Sequence, residues 1–436
     1  MALIHHRSQE CSMAELDLFS PPLTQFSVDH SQYVEMLPIS ALTDGGPIEF
    51  FIPGDGSKYL DLTDTLLQLQ LKVTRMDGSD LPGEERVGLI NYVVNTIFSQ
   101  VDVTLGDRLI SQSSATHPYR AIIETLLNFS ESTLKSQFTA GMFYKDTSGH
   151  MESTALTGAD VNAGLVKRSQ RVVGSRPFYV IGPLHADIFF CERLLLNSVD
   201  LRIKLIKAND DFCFMSPEGS NHKLKILGAS LFVKRVTVSP AVTLGHAAAL
   251  NKENALYPLS RINIKTYSIP QNSRTCQQDN LFLGPIPRYV VLTLVSHNNF
   301  VGRRHGNPFN FEHFDLEYLA LCLEGRQIPA KAFQPQFNDN NAVREFYNLY
   351  TATGRHLKDL PLCIDRDDFS AGYALYVFNL APNEDTAALS PVSSGSVRLE
   401  MRFRVALPQT TTLIVYACYD SILEINSKRE VLVDYY

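Results

Sequence analysis

No run of about 18 apolar residues occurs anywhere in the 436-residue sequence, so a membrane-spanning helix is not expected. The opening stretch MALIHHRSQECSMAELDLF lacks the apolar core of a signal peptide, and the expectation is a soluble chain outside the classical secretory route. Cysteine is sparse: seven residues, at 11, 191, 213, 276, 322, 363 and 418, form no C-x-x-C and are odd in number. That argues against a disulfide framework or a zinc ribbon, and Cys322 and Cys418, within strand-like runs, read as buried thiols. A basic excess is missing too, with 39 Lys and Arg against 46 Asp and Glu, a net charge of −7 and a pI near 6.0. A nucleic-acid or anionic-membrane surface needs the opposite balance, so direct, sequence-specific nucleic-acid binding is not expected. Tryptophan is absent, but 44% hydrophobic and 19% charged residues, with 22 Pro and 24 Gly, are ordinary for a globular protein and exclude disorder of the whole chain. No G-x-x-x-x-G-K-[ST], G-x-S-x-G or H-E-x-x-H occurs. No catalytic residue, cofactor-binding residue or metal ligand is therefore assigned, and no enzyme is expected.

What is present is alternation, and it is present twice. In Asn197 to Ala208 (NSVDLRIKLIKA), Val199, Leu201, Ile203 and Leu205 fall on one side of an extended chain, with Asp200, Arg202 and Lys204 on the other. Ser394 to Val405 (SGSVRLEMRFRV) repeats the pattern: Val397, Leu399, Met401, Phe403 and Val405 alternate with Arg398, Glu400, Arg402 and Arg404. A period of two marks a strand with one buried face.

Three further echoes keep the same order, as a duplication requires. LGDRLI, from Leu105, is matched by EGRQIP, from Glu324, and both read as tight hairpins. Tyr119, Ile122, Ile123 and Leu126 predict a helix, and Val343, Phe346, Tyr347 and Tyr350 its counterpart, with Pro118 suited to a first turn and Gly354 to a C-terminal cap. GPLHADIFF, Gly182 to Phe190, answers GYALYVFNL, Gly372 to Leu380. The copies are 325 − 106 = 219 and 343 − 119 = 224 residues apart up to the helix, but 372 − 182 = 190 and 397 − 199 = 198 apart after it. An insertion is therefore expected in the first half. There, Glu131 to Ser175 is rich in Ser, Thr and Gly and reads as a long exposed loop projecting from its sandwich.

The expected fold class is all-β, two tandem antiparallel sandwiches with one short helix in a loop of each. Residues 1–45 read as an N-terminal arm, 46–238 as the first sandwich with the loop 131–175, 239–257 as a linker and 258–436 as the second. Gly228 is expected at a bulge within Leu224 to Val238.

Four groups of residues invite a chemical reading. His297, His305 and His313 recur every eight residues and suggest a metal set, against the plainer reading of solvated loop histidines. Asp365, Asp367 and Asp368 suggest a hard-cation loop, but lack the glycine and distant glutamate of an EF-hand, and a solvated turn is the plainer reading. Lys167, Arg168, Arg171 and Arg176 suggest a contact for an acidic partner, or simply a soluble loop face. Arg202, Lys204, Arg402 and Arg404 lie on the polar faces of the echo strands, where acids across strands or across a subunit interface would meet them.

NSVDLRIKLIKANDDFCFM, VKRVTVSPAV, HNNFVGRRHGNPFNFEHFDLEYLALCLEGRQIP and LIVYACYDSILEINSKREVLVDYY resemble the hexon-type major capsid protein of adintoviruses and Maverick/Polinton elements. The resemblance is most specific over Asn298 to Tyr436, through Asn307-Pro308-Phe309-Asn310-Phe311, Gly372-Tyr373 and Val433-Asp434-Tyr435. It implies a double jelly roll that trimerises into pseudo-hexagonal capsomers of an icosahedral DNA-virus shell. It also implies a virion location, and neighbouring capsomers, penton and minor capsid proteins as partners, with no cofactor. Two other classes stay open: a carbohydrate-binding jelly roll using some of the 18 Tyr and 25 Phe, and a cupin-like metalloenzyme.

Overall fold

In Leu201–Lys207 and Val397–Phe403 the residues of one parity, Lys207 excepted, are sealed from solvent. Leu201, Ile203 and Leu205 are buried in one strand, and Leu399, Met401 and Phe403 in the other, while Arg402 is exposed. Val405 departs from the expectation: the strand ends at Phe403 and Val405 is 58% exposed. The computed structural model describes residues 7–9, 11, 13–83, 85–282, 284–339, 341–381, 389 and 391–433. Asp434 and Tyr435 of the last motif, and the first six residues of the arm, lie outside the described residues.

The first half supplies β1 (Val28–Met36), β2 (Ile48–Ile52), β3 (Lys58–Arg75), β4 (Phe98–Leu105), β5 (Arg108–Leu109), β6 (Phe178–Pro183), β7 (Leu201–Lys207) and β8 (His222–Val238). The second supplies β9 (Ala255–Ile269), β10 (Thr275–Phe282), β11 (Tyr289–Ser296), β12 (Leu316–Leu323), β13 (Arg326–Phe333), β14 (Tyr376–Asn379), β15 (Val397–Phe403), β16 (Thr411–Ile425) and a short β17 (Val431–Val433). The first eight form two antiparallel sheets, β1-β8-β3-β6 and β2-β7-β4-β5. The second half forms β9-β16-β11-β14, with β17 on the end of β16, and β10-β15-β12-β13. Adding eight to each strand number of the first pair of sheets gives the second pair, so the chain is one jelly-roll sandwich built twice. The echo strands β7 and β15 are central in equivalent sheets, and the hairpins β4-β5 and β12-β13 turn through Gly106 (φ +56°) and Gly325 (φ +81°), where a side chain would be strained. Gly228 sits at a register shift between β3 and β8, as expected of a bulge.

Nine α-helices are described: α1 (Val93–Thr96), α2 (His117–Asn128), α3 (Glu131–Lys135), α4 (Ala163–Ser169), α5 (Asp210–Cys213), α6 (Pro240–Leu250), α7 (His297–Val301), α8 (Val343–Ala352) and α9 (Arg366–Ser370). The expected pair is α2 and α8, each following the equivalent hairpin. Tyr119, Ile122, Ile123 and Leu126 of α2 are buried as their spacing predicts. The stripe on α8 holds in part: Phe346 and Tyr350 pack against the core as expected, with Glu345 and Leu349 buried beside them, whereas Val343 and Tyr347 are exposed. The carboxylate of Glu345 accepts from the backbone N–H of Gln334 (3.1 Å), and this contact turns a charged residue inward.

One echo is only partly a strand, and one expectation is corrected. Of GPLHADIFF only Gly182 and Pro183 belong to a strand, the end of β6, and Asp187–Phe190 form a 3-10 turn. Glu131 to Ser175 is not an exposed loop. Leu134, Phe138, Met142, Phe143, Met151, Leu165 and Val172 are all buried within it. Each short turn contributes only one or two of these contacts, so no periodicity announces them. The polar residues that read as loop are partly caps: the side-chain oxygen of Asn162 accepts from the N–H groups of Gly164 (3.1 Å) and Leu165 (3.3 Å) at the start of α4.

Buried apolar residues of both jelly rolls join in one cluster. In β11 every residue from Val290 to Ser296 is buried, and β16 is sealed from Thr411 to Cys418. Strands buried on both faces need cover on the outer face as well as the inner.

Candidate functional site at the seam between the jelly rolls

Part of that cover is α2, which the first jelly roll lays against the second. The helix is buried all round, including Arg120 and Glu124, which are four residues apart and therefore neighbours on its surface. Arg120 Nε donates to Glu124 Oε1 (2.9 Å) and its Nη2 to Asp187 Oδ1 (2.6 Å). A carboxylate only accepts, so His185 donates through Nδ1 to Glu124 Oε2 (2.7 Å), and its Nε2 lies 3.2 Å from the Tyr92 hydroxyl. From the second jelly roll, Tyr416 of β16 donates its hydroxyl to Glu124 Oε1 (3.3 Å) and the N–H of Ile262 donates to Asp187 Oδ1 (3.3 Å). Arg261 Nε stands 4.0 Å from Asp187 Oδ2.

The electrostatics follow from one cation shared by two carboxylates. Burial alone would push Glu124 up, but Arg120 and His185 overcome it and hold the carboxyl down at about 2. Burial wins at Asp187, whose carboxyl is raised despite the same arginine, because Glu124 adds a like charge. Burial opposes the charge on Arg120, yet its two carboxylates keep it protonated above its usual range. His117, in the same helix, is pushed down to about 3 by burial and by its cationic neighbours. Tyr119 stacks on Phe300 (5.2 Å between centroids) and meets Phe309 edge-on (5.8 Å), so aromatic contacts extend the seam.

The segment 131–175 supplies the second half of the seam and acts as a strap. Arg168, completely buried in α4, donates to Asp146 Oδ1 (2.7 Å), the Leu89 carbonyl (2.8 Å) and the Tyr144 carbonyl (2.9 Å). Across the seam, Asn307 Nδ2 donates to Asp146 Oδ2 (3.1 Å), and the Tyr373 hydroxyl donates to the Asp146 carbonyl (2.7 Å). Glu152 accepts from Asn299 Nδ2 (2.9 Å), the Asn307 N–H (3.1 Å) and Asn310 Nδ2 (2.8 Å). Lys145 pairs with Asp368 of α9. Gly372 (φ +122°) passes so close to the strap that a Cβ there would stand 2.5 Å from Met151 Cγ. The blocks Asn307 to Phe311 and Gly372-Tyr373 are thus the receptor for the strap.

The four groups singled out in the sequence do not meet. His297 Nδ1 is 2.9 Å from Thr412 Oγ1, His305 pairs with Arg303, and His313 stacks on Phe337 (3.8 Å). Among the described residues no three His, Cys, Asp or Glu side chains gather as a metal set. Asp365 is not part of a solvated cation loop: it caps α9 in a reciprocal capping box with Asp368, and Asp368 is buried. Lys167, Arg171 and Arg176 are exposed, whereas Arg168 is the centre of the strap. Arg202 lies over Phe51 (4.7 Å) and Arg402 over Tyr318 (4.8 Å), each across a strand pair, while Lys204 faces Glu49 (3.8 Å) and Arg404 faces Asp315 (3.7 Å). The seam residues Arg120, Glu124, His185 and Asp187 escaped sequence reasoning. Two signals were there: an Arg/Glu pair four apart on a helix with Ala121, Ile122, Ile123, Leu126 and Leu127 around it, and the mostly apolar runs VVLTLV and LIVYAC, where a one-faced strand would alternate.

No protein-family model matches the chain. It is 23% identical over 432 residues to a Caenorhabditis elegans protein described as uncharacterized protein F54H12.2, covering 95% of this chain and 99% of that one. Among solved structures, a chain of the Sputnik virophage superimposes with a TM-score of 0.68 at 11% identity, covering 99% of this chain and 94% of that one. The faustovirus major capsid protein gives 0.56 at 10% identity over 94% and 92% of the two chains. The mavirus major capsid protein gives 0.53 at 10% over 100% and 97%. At such identities the likeness is one of fold: the solved double jelly rolls that this chain resembles are viral capsid proteins.

Proposed function

We propose that this chain is a major capsid protein that trimerises into pseudo-hexagonal capsomers of an icosahedral DNA-virus shell, in the adintovirus and Maverick/Polinton lineage that its motifs resemble. The observation that carries the reading is the repetition of eight strands in one chain, with the two copies joined by a buried seam. Two similar lobes per subunit give a closed trimer six, enough to tile a near-hexagonal lattice. On this reading 46–238 and 258–436 are the two lobes, 1–45 the arm and 239–257 the linker, with β1 (Val28–Met36) of the arm already paired to β8 of the first lobe and β9 of the second beginning at Ala255. Neighbouring capsomers, penton and minor capsid proteins are the partners, the virion is the location, and the chain performs no catalytic step.

Light scattering coupled to size exclusion tests the proposal. The expected mass is about three times the 48.8 kDa of the chain, with six-lobed particles by electron microscopy. A monodisperse monomer at micromolar concentration overturns it.

A further inference from the structure

Among the described residues, two apolar surfaces have no partner, and the root of the first lies on the rim of the second. The first is the stretch 13–26. Its large apolar side chains, Met13, Leu16, Leu18, Phe19, Leu23 and Phe26, are between 67% and 105% exposed. Among the described residues, the hydrogen bonds made by this stretch reach no farther than three positions along the chain. The second is a groove of about 650 Å³ lined by Val28, Leu194, Val242, Ala249, Leu256 and Tyr257, among others. One wall is α6, which carries no Asp, Glu, Lys or Arg and contributes Val242, His246, Ala249 and Leu250 to the groove.

The arm is rooted on the rim of that groove. Ser27 and Val28 line it, and the Ser27 carbonyl accepts from the N–H of Ser239 (3.0 Å), just before α6. Yet Phe26, one residue outward, is 78% exposed, so the arm leaves the groove of its own subunit. Pro21 and Pro22 stiffen the chain in an extended form. At roughly 3.1 Å per residue they carry Leu16, Leu18 and Phe19 on the order of 20 Å or more from the root. Two phenylalanines at about 150 Å² each and four aliphatic or thioether side chains at about 100 Å² each amount to roughly 700 Å², close to one partner's share of a standard specific interface. A donor segment and an acceptor groove on the same chain form a head-to-tail contact that closes when copies are arranged in a ring.

We propose that residues 13–26 of one subunit seat in the groove beside α6 of a second copy. The proposal rests on the capsomer reading for the presence of several copies in one assembly. The test uses the full chain with a photo-activatable phenylalanine analogue in place of Phe19, mixed as labelled and unlabelled subunits so that cross-links within and between copies differ in mass. Cross-links between copies, mapping to residues 242–257, are expected. Ala249→Trp, an exposed position on the groove wall, should lower their yield about tenfold without changing the melting temperature. Three outcomes overturn the proposal: cross-links only within a copy, cross-links elsewhere on a second copy, and cross-linking to added anionic vesicles in preference to protein. A trimer whose arm misses the groove sinks this inference alone, whereas a monomer sinks the capsomer reading.

Discussion

Arg168→Met removes the cation that faces Asp146 in the strap. The arginine is fully buried and the aspartate 2% exposed, so solvent cannot replace the lost partner. Asn162 Nδ2 (2.8 Å) and Asn307 Nδ2 (3.1 Å) still donate to the carboxylate, but two backbone carbonyls, of Leu89 and Tyr144, lose their donor. Breaking a buried pair from one side costs about 3–5 kcal/mol. For a unit of 150–250 residues, each kcal/mol lowers the melting temperature by about 2–4 °C, so a fall of roughly 10 °C is expected. Arg171→Met, three residues along and exposed, is the control and should stay within about 0.5 kcal/mol of the parent. Differential scanning fluorimetry on the three proteins decides the matter, and limited trypsinolysis adds a second readout. The parent should resist cleavage at Arg168, while Arg168→Met should be nicked within 131–175. Equal melting temperatures for the two variants, or early cleavage of the parent at Arg168, would refute the strap and restore an exposed loop.

The register of β15 makes a sharper contrast still. Met401→Asp puts a carboxylate at a 1% exposed core position and should cost on the order of 3 kcal/mol or more, while Arg402→Asp should leave the subunit folded. Equal losses of soluble yield would mean the strand is misregistered. At the strap, desolvation, and then the neighbouring Glu152, push the half-buried Glu312 carboxyl up to about 7 from the ordinary 4.5. A raised native value means the folded chain binds the proton more tightly, so this stability is present below about pH 4.5 and is lost as pH rises through 7. The loss is at most about 3 kcal/mol, less what solvent screens. Melting curves from pH 5 to 8 should fall more steeply for the parent than for Glu312→Gln, and identical slopes would count against the reading.

The duplication was legible in the residues because strand alternation is local. Val199 to Lys204 and Val397 to Arg402 show their two faces without reference to anything distant, and Gly106 and Gly325 mark the same turn by their own backbone needs. The seam was not legible, because it is made of contacts between residues far apart in the chain. Arg120 and Glu124 on a helix read as an ordinary surface pair until β16 brings Tyr416 against them. Arg168 and Asp146 read as loop polarity until the carbonyls of Leu89 and Tyr144 and the amide of Asn307 close around them. A charged residue is buried only where its partners converge, and that convergence belongs to the tertiary structure. Sequence by itself determined two sandwiches and their order. Packing alone decided that the inserted segment would become the strap between them, since short turns that each bury one or two side chains carry no period to read.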